Sequence, residues 1–362
     1  MTSDTRTSTK VTLASVAREA GVSLPTVSKV LNGHQDVAEE TRQRVQQVIR
    51  DSGYLRVHRR AGKPVIPVVE LVFDDVVSAY SIEILRGVTG AASAHDVDVV
   101  VAKFGRFGDR RPDAEHWARR SRMAGRAGII SVTTEMTSDH LNAFERQRLP
   151  LVLIDPVNPP PRQDTVSVGA TNWAGGMAAT QHLTALGHRR IAYIGGEPGA
   201  TCSQARLYGY HAALAQAGIP QDPDLVRAGH FDAETGYAAT VELVRLADPP
   251  TAVFAGCDAT AVGVVEAART LGLRVPDDLS VVGFDDTYVA AHCFPKLTTI
   301  AQPLEEMGRV ALRTLLRMAD GDTLETHQVE LATQLVERAS TAPPPRRVNP
   351  VTTRTRRIST ET

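Results

Sequence analysis

Apolar positions recur with a helical period through the first fifty residues and with a mixed strand-and-helix rhythm after that. Leu13, Val16, Ala17 and Ala20 keep the i, i+3, i+4, i+7 spacing of a helix buried along one face, with Thr12 placed to cap it. Gly21 ends that helix, because a left-handed C′ residue is unstrained only without a Cβ. Ser23 caps a second helix. Pro25 sits in its first turn, where a missing N–H costs nothing, and Val27, Val30 and Leu31 form its inward stripe. A third helix over 38–51 packs through Val45, Val48 and Ile49 and stops at Gly53. Two short helices joined by a tight glycine turn predict a helix-turn-helix, whose second helix can enter the major groove of DNA.

From Val65 onward, short β-rich runs at 68–73, 97–101, 128–132, 151–155, 191–195, 251–255 and 280–284 alternate with amphipathic stretches such as 81–94, 172–186, 203–217 and 260–271. This rhythm predicts parallel sheets covered by helices on both faces. Seven or more such units exceed one doubly wound sheet, so two similar subdomains with a cleft between them are expected. Ligands of open α/β sheets bind beyond the carboxyl ends of strands. There the sequence places Asp155, Asp258 and the Asp285-Asp286 pair, with Arg206 opening the helix after Gly195-Gly196. Carboxylates and an arginine can hold hydroxyls in bidentate pairs, with Phe231 as the aromatic best placed to cover a sugar ring. Taken singly, each of these side chains is more readily read as a surface ion pair or a helix cap.

Composition narrows the class. A chain of 362 residues with 42% apolar and 22% charged residues is ordinary globular protein of two or three domains. No apolar run reaches the ~20 residues of a membrane span, and the first ten residues, MTSDTRTSTK, lack an apolar signal region. With three cysteines (Cys202, Cys257, Cys293) at no metal-like spacing, a cytoplasmic protein without metal, cofactor or membrane contact is expected. The net charge of −1 hides an asymmetry. Residues 1–63 hold 11 Lys+Arg against 6 Asp+Glu and the tail from Thr341 holds 5 against 1, which leaves −10 on residues 64–340. A basic front end on an acidic body points to a polyanion met by the front end alone. Nucleotide-binding, hydrolase and zinc-protease motifs are missing, so neither an enzyme nor a catalytic residue is expected. A transporter's solute receptor would share the body but lack the helix-turn-helix.

The run VTLASVAREAGVSLPTVSKVLN, from Val11 to Asn32, closely resembles the opening signature of the LacI/GalR repressor family, and the match continues in Val37, Thr41-Arg42 and Gly53-Tyr54. The resemblance implies that Leu24, Pro25 and Lys29 face base edges, that Ser23, Thr26 and Ser28 approach phosphates, and that Asn32 completes the DNA-binding set. After Gly53-Tyr54 the family's hinge, with its Pro, Asn and minor-groove Leu, is replaced by Leu55-Arg56-Val57-His58-Arg59-Arg60-Ala61-Gly62-Lys63. Here Arg56, Arg59 and Arg60 either enter a narrow minor groove, sit on phosphates or belong to a flexible basic linker.

Segments 187–192, 206–210, 275–286 and 297–303 also look like the family's effector domain, which has the periplasmic-binding-protein fold. The implied architecture is an all-α helix-turn-helix domain at 11–54 after a flexible 1–10, a hinge at 55–64, and an α/β effector domain of two doubly wound subdomains at 65–340. By resemblance its N-subdomain covers about 65–158 and 297–325, and its C-subdomain about 163–292 and 328–340. The crossings fall near 156–165, 291–298 and 324–329, the first stiffened by Pro159-Pro160-Pro161. Arg206, Phe231 and Asp285 correspond to the main ligand contacts, Asp155 and Gln302 to lesser ones, and Tyr80 and Ser81 line the cleft from the N-terminal side. Cys257, before Asp258, stands where relatives often carry Asn or Ser. Trp173 either stacks on a ligand or is a partly buried structural side chain. Residues 341–362, rich in Pro, Arg and Thr and without a leucine heptad, are expected to be disordered. The implied partners are a pseudopalindromic operator in double-stranded DNA, a second copy of the chain, and a mono- or oligosaccharide effector coupled to the operator by 1–3 kcal/mol or more.

Overall fold

The computed structural model describes residues 13–31, 37–52, 66–104, 113–158 and 162–345, and the chain divides into one unit at Met1–Val65 and a second at Ile66–Thr362. In the first unit, α1 (Leu13–Glu19), α2 (Leu24–Leu31) and α3 (Glu39–Ser52) surround a small core of Val16, Ala17, Ala20, Val27, Val30 and Val45. Val16, Val27 and Val45 are fully buried, as their spacing predicts. Gly21 takes φ +65° at the end of α1, where a Cβ would be strained. From α3, Arg44 donates through Nε to the Ala20 carbonyl at 3.1 Å, satisfying an acceptor that the end of α1 leaves open. The predicted cap Thr12, the stop at Gly53 and the whole hinge lie outside the described residues.

In the second unit, β1 (Val68–Phe73), α4 (Ala79–Ala94), β2 (Asp98–Lys103), α5 (Ala114–Met123), β3 (Arg126–Val132), α6 (Ser138–Arg146), β4 (Leu151–Ile154) and β5 (Ser167–Ala170) follow in order. Next come α7 (Asn172–Ala185), β6 (Ile191–Gly195), α8 (Thr201–Gln216), β7 (Val226–Ala228), α9 (Ala233–Leu243), β8 (Ala252–Ala255), α10 (Asp258–Thr270), β9 (Ser280–Asp285), α11 (Tyr288–His292) and β10 (Thr298–Ala301). The unit closes with α12 (Leu304–Asp320), β11 (Gln328–Leu331) and β12 (Gln334–Val336).

Two six-stranded sheets result, ordered β11-β5-β4-β3-β1-β2 and β12-β10-β9-β8-β6-β7. The ladders are parallel except β10–β12, which is antiparallel. Strand alternation feeds both faces. Val69, Leu71 and Phe73 pack under α4 and α12, whereas Val72 joins Trp117 and Phe144 under α5 and α6. Likewise Ala192 and Ile194 face α9 and α10, while Ile191 and Tyr193 face α7 and α8. Each sheet is therefore doubly wound, and its strands read as nearly continuous apolar runs because both faces are covered. No helix among the described residues is long and apolar enough to cross a membrane.

The crossings between the two lobes differ from the expected positions. Strand β5 lies in the first sheet and α7 packs on the second, so the first crossing is at Thr171 rather than near 156–165. Strand β10 pairs with β9 in the second sheet and α12 packs on α4, which moves the second crossing from 291–298 to Gln302-Pro303. Strand β11 pairs with β5 and β12 with β10, so the third runs through Ala332-Thr333, not 324–329. The expected subdomain limits are corrected accordingly: the first lobe keeps 167–170 and 328–331, and the second keeps 298–301. The physical reason is that the short strands Ser167–Ala170 and Gln328–Leu331 extend the first sheet, and Thr298–Ala301 the second, before the chain leaves it. The proline run at 159–161 lies outside the described residues.

The start of the expected disordered tail is also packed. Ser340 is fully buried, with its hydroxyl donating to the Val281 carbonyl at 2.6 Å and accepting from the Thr298 amide at 2.8 Å. The Ala342 amide donates to Ser280 Oγ at 3.0 Å, and its carbonyl lies 2.9 Å from His188 Nε2. Burial pushes the His188 imidazole below its ordinary pKa, with the Ala342 carbonyl opposing. Residues 341–345 thus belong to the second lobe.

Candidate functional site

Two surfaces concentrate the chemistry. In the first unit, α2 presents Leu24, Pro25, Ser28 and Lys29 on its outer face, all exposed, while Val27 and Val30 point inward. Leu24 is 50% exposed at the start of this helix. Ser23 caps α2 through a 3.3 Å bond from the Thr26 amide, and its hydroxyl lies 2.8 Å from Thr26 Oγ1. Ser23 and Thr26 are therefore held against each other at the helix N-terminus, where backbone N–H groups favour phosphate. Asn32, Arg56, Arg59 and Arg60 lie outside the described residues.

The second surface is the cleft at the carboxyl ends of the two sheets. Arg206, on the second turn of α8, is 3% exposed. Its Nε donates to Asn172 Oδ1 at 2.8 Å and one terminal nitrogen donates to the Gly256 carbonyl at 2.6 Å. The same nitrogen lies 3.7 Å from Asp285. The guanidinium carbon sits 3.8 Å from the Phe284 ring centre and 5.5 Å from that of Phe231. A planar cation fixed on two sides and covered by aromatic faces is pre-organised for hydrogen bonding. Phe231 reaches this place because residue 196 is glycine: a Cβ there would come within 2.3 Å of its ring.

Asp285 ends β9 with φ +108°, and Asp155 follows β4 with φ +41°. Non-glycine residues at positive φ are strained and persist where the surrounding structure demands them. Gln302 Nε2 donates to Asp285 Oδ1 at 2.7 Å, and the Tyr80 hydroxyl donates to Asp155 Oδ2 at 2.7 Å. Burial raises both carboxyl pKa values, with Arg206 opposing in each case. Burial and then Asp155 push the Tyr80 phenol up, so it remains protonated. Across the cleft, Thr201 ties the lobes by donating its amide to the Val157 carbonyl and its hydroxyl to the Pro156 carbonyl, both at 2.9 Å.

Six of the eight expected effector residues are thus gathered around the cleft: Tyr80, Asp155, Arg206, Phe231, Asp285 and Gln302. Two are not. Ser81 is 2% exposed and spends its hydroxyl on the Asp75 carbonyl at 2.5 Å and on Ser78 at 2.9 Å, closing the loop before α4. Asp258 is 1% exposed and takes bonds from the Thr287 amide and hydroxyl at 2.7 and 3.0 Å and from Thr299 at 2.6 Å. It staples α10 to β10 instead of facing a ligand. Cys257 caps α10, its sulfur accepting from the Thr260 amide at 3.4 Å. Trp173 is 48% exposed, so it is about half buried at the start of α7.

Sequence reasoning missed Cys202 and the anchoring role of Asn172. Cys202 stands one helical turn before Arg206 and lies within electrostatic reach of Arg206, Asp155 and Asp285. The i, i+4 relation to Arg206 was the available signal. A separate groove of about 700 Å³, lined by Arg190, Tyr210 and Asp222, opens at the amino ends of the second sheet, the edge opposite the one where such sheets bind ligands.

A helix-turn-helix with an outward-facing second helix, carried in one chain with a two-lobed body of this topology, defines a DNA-binding regulator with a periplasmic-binding-protein-like domain. The comparisons agree. Residues 12–56 match the model described as bacterial regulatory proteins, lacI family, and residues 180–341 match that of the periplasmic binding protein-like domain. The chain is 34% identical over 340 residues to the transcriptional regulator CelR of Thermobifida fusca, covering 91% of this chain and 98% of that protein. Among solved structures, a CelR–cellobiose complex superposes with TM-score 0.69 at 34% identity, over 91% of this chain and 100% of that one. A lac repressor dimer bound to operator and the anti-inducer ONPF gives 0.67 at 26% identity, over 92% and 100%. The chain belongs to the LacI family of bacterial regulators: it is a DNA-binding transcriptional regulator and not an enzyme.

Proposed function

We propose that this regulator is a homodimeric repressor whose affinity for a pseudopalindromic operator is set by an uncharged saccharide bound between the lobes. The observation that carries the reading is Arg206, buried and fixed between Asn172, the Gly256 carbonyl and two aromatic rings, opposite the carboxylates of Asp285 and Asp155. A cation fixed in this way supports hydroxyl recognition, and Phe231 supports stacking on a sugar face. The cellobiose complex of CelR, at 34% identity, favours the same ligand class. The operator-bound lac repressor dimer favours two heads reading two half-sites.

The chemistry of the cleft argues against phosphorylated sugars. Two buried carboxyl groups face one guanidinium, with burial pushing Asp285 up to about 8 and Asp155 above its ordinary value, and Gln302 Oε1 is buried with no hydrogen-bond partner among the described residues. A sugar hydroxyl can both donate to and accept from such groups, whereas a phosphate dianion would lose its water against a single buried guanidinium that Asp285 and Asp155 already share. The test is thermal unfolding of the full chain with glucose, cellobiose and ribose, and with glucose 6-phosphate and ribose 5-phosphate. A neutral sugar at about 100 times its Kd is expected to stabilise the protein by roughly 2.7 kcal/mol, with the phosphates giving less than their parents. A phosphate that binds more tightly than its parent sugar contradicts the charge argument.

A further inference from the structure

We propose that Asn172 is the positioning residue that carries the state of Arg206 to the crossings between the lobes. This inference rests on the reading of Arg206 as the effector-binding arginine. Asn172 is the first residue of α7 and follows Thr171, where the chain passes from the first lobe to the second. It is 9% exposed. Its two amide atoms point to different lobes: Oδ1 accepts from Arg206 Nε at 2.8 Å, and Nδ2 donates to the Ala170 carbonyl at 3.1 Å. The assignment of oxygen and nitrogen is fixed by the partners, because a guanidinium only donates and a carbonyl only accepts.

Ala170 ends β5 of the first sheet, in register with Leu331 of β11. The next residue ties the crossings together. The Thr171 amide donates to the Leu331 carbonyl at 2.9 Å, and the Thr333 amide donates to Thr171 Oγ1 at 3.0 Å. Their hydroxyls lie 3.0 Å apart. Two consecutive hydrogen bonds therefore run from the guanidinium to the first lobe, and they end where the first and third crossings are pinned to each other. A ligand that pulls Arg206 toward its hydroxyls moves Asn172, and with it the crossing. The side chain must accept on one atom and donate on the other. Aspartate keeps the acceptor for Arg206 but loses the donor to Ala170, and alanine loses both.

The experiment compares wild type, Asn172→Asp and Asn172→Ala as full-length protein, with cellobiose, glucose and ribose as probes. Two quantities are measured: the sugar Kd, and the ratio of affinities for the DNA upstream of the protein's own gene without and with saturating sugar. Asn172→Asp is expected to lower the ratio about fivefold or more, and by a larger factor than it changes the sugar Kd. Asn172→Ala is expected to weaken sugar binding about tenfold, since Arg206 loses one of its two anchors. A merely structural residue would lower Tm without separating the two quantities. If Asn172→Asp retains the wild-type ratio, the proposal is overturned; if Asn172→Ala does not fold, Asn172→Asp alone decides. Wild type that responds to none of the three sugars overturns the saccharide reading itself, and this inference falls with it.

Discussion

Arg206→Ala is expected to lower sugar affinity about a hundredfold, near 3 kcal/mol, while leaving operator affinity in the absence of sugar within about threefold of wild type. Three consequences of the substitution add up to this effect. The ligand loses its cationic donor. Asp285 and Asp155 lose the opposite charge that counters their burial. Phe231 and Phe284 lose the guanidinium that fills the space between them. Arg206→Lys keeps the charge but not the planar fork, and one ammonium cannot reproduce the bonds to Asn172 and Gly256 together with a hydroxyl. Its affinity should fall between wild type and Ala. Calorimetric titration with the responsive sugar measures both variants, and an Arg206→Ala protein that binds it normally would move the effector site elsewhere.

Val27→Asp is expected to abolish operator binding and leave sugar binding unchanged. Val27 is fully buried in a core whose buried members among the described residues are six small side chains, and burying an unpaired carboxylate there costs on the order of 4 kcal/mol. A three-helix unit of this size holds roughly 3–5 kcal/mol of stability, so the loss unfolds it. The body has its own four apolar clusters and keeps its fold. Circular dichroism, sugar titration and DNA binding on one sample separate the two units. If operator binding persists in Val27→Asp, the first unit does not carry the DNA contact.

Periodicity revealed the helix-turn-helix and the strands, because burial on one or both faces leaves a local trace. The runs at 68–73 and 191–195 match their strands to the residue, and both are covered on each face by helices. Which sheet a strand joins leaves no such trace. Ser167–Ala170 and Gln328–Leu331 are short and partly polar, and only the pairing of the first with β4 and of the second with the first places them in the first lobe. The first and third crossings shifted for that reason, and the second because β10 pairs with β9 in the second sheet. Within the site, Arg206, Asp285 and Asp155 were legible because they stand at the carboxyl ends of strands or just beyond, where such sheets bind ligands, and because the family resemblance singles them out. Ser81 and Asp258 carry the same kind of signal, yet their polar atoms are consumed by the loop before α4 and by Thr287 and Thr299. Asn172 was hidden for the opposite reason, since an Asn at a helix start reads as a cap. Residues 341–345 are held mainly by backbone and hydroxyl bonds, which composition does not register.

The central claim is that sugar in the cleft and operator on the first unit are linked. It is tested most directly by titrating the full-length protein against the DNA upstream of its own gene, over a salt series, with and without the sugar that stabilises it. The expected result is tight binding that weakens steeply with salt, and that the sugar shifts by about tenfold or more, near 1.4 kcal/mol of coupling. Specific binding that a cleft-bound sugar leaves unchanged at every salt concentration would contradict the linkage.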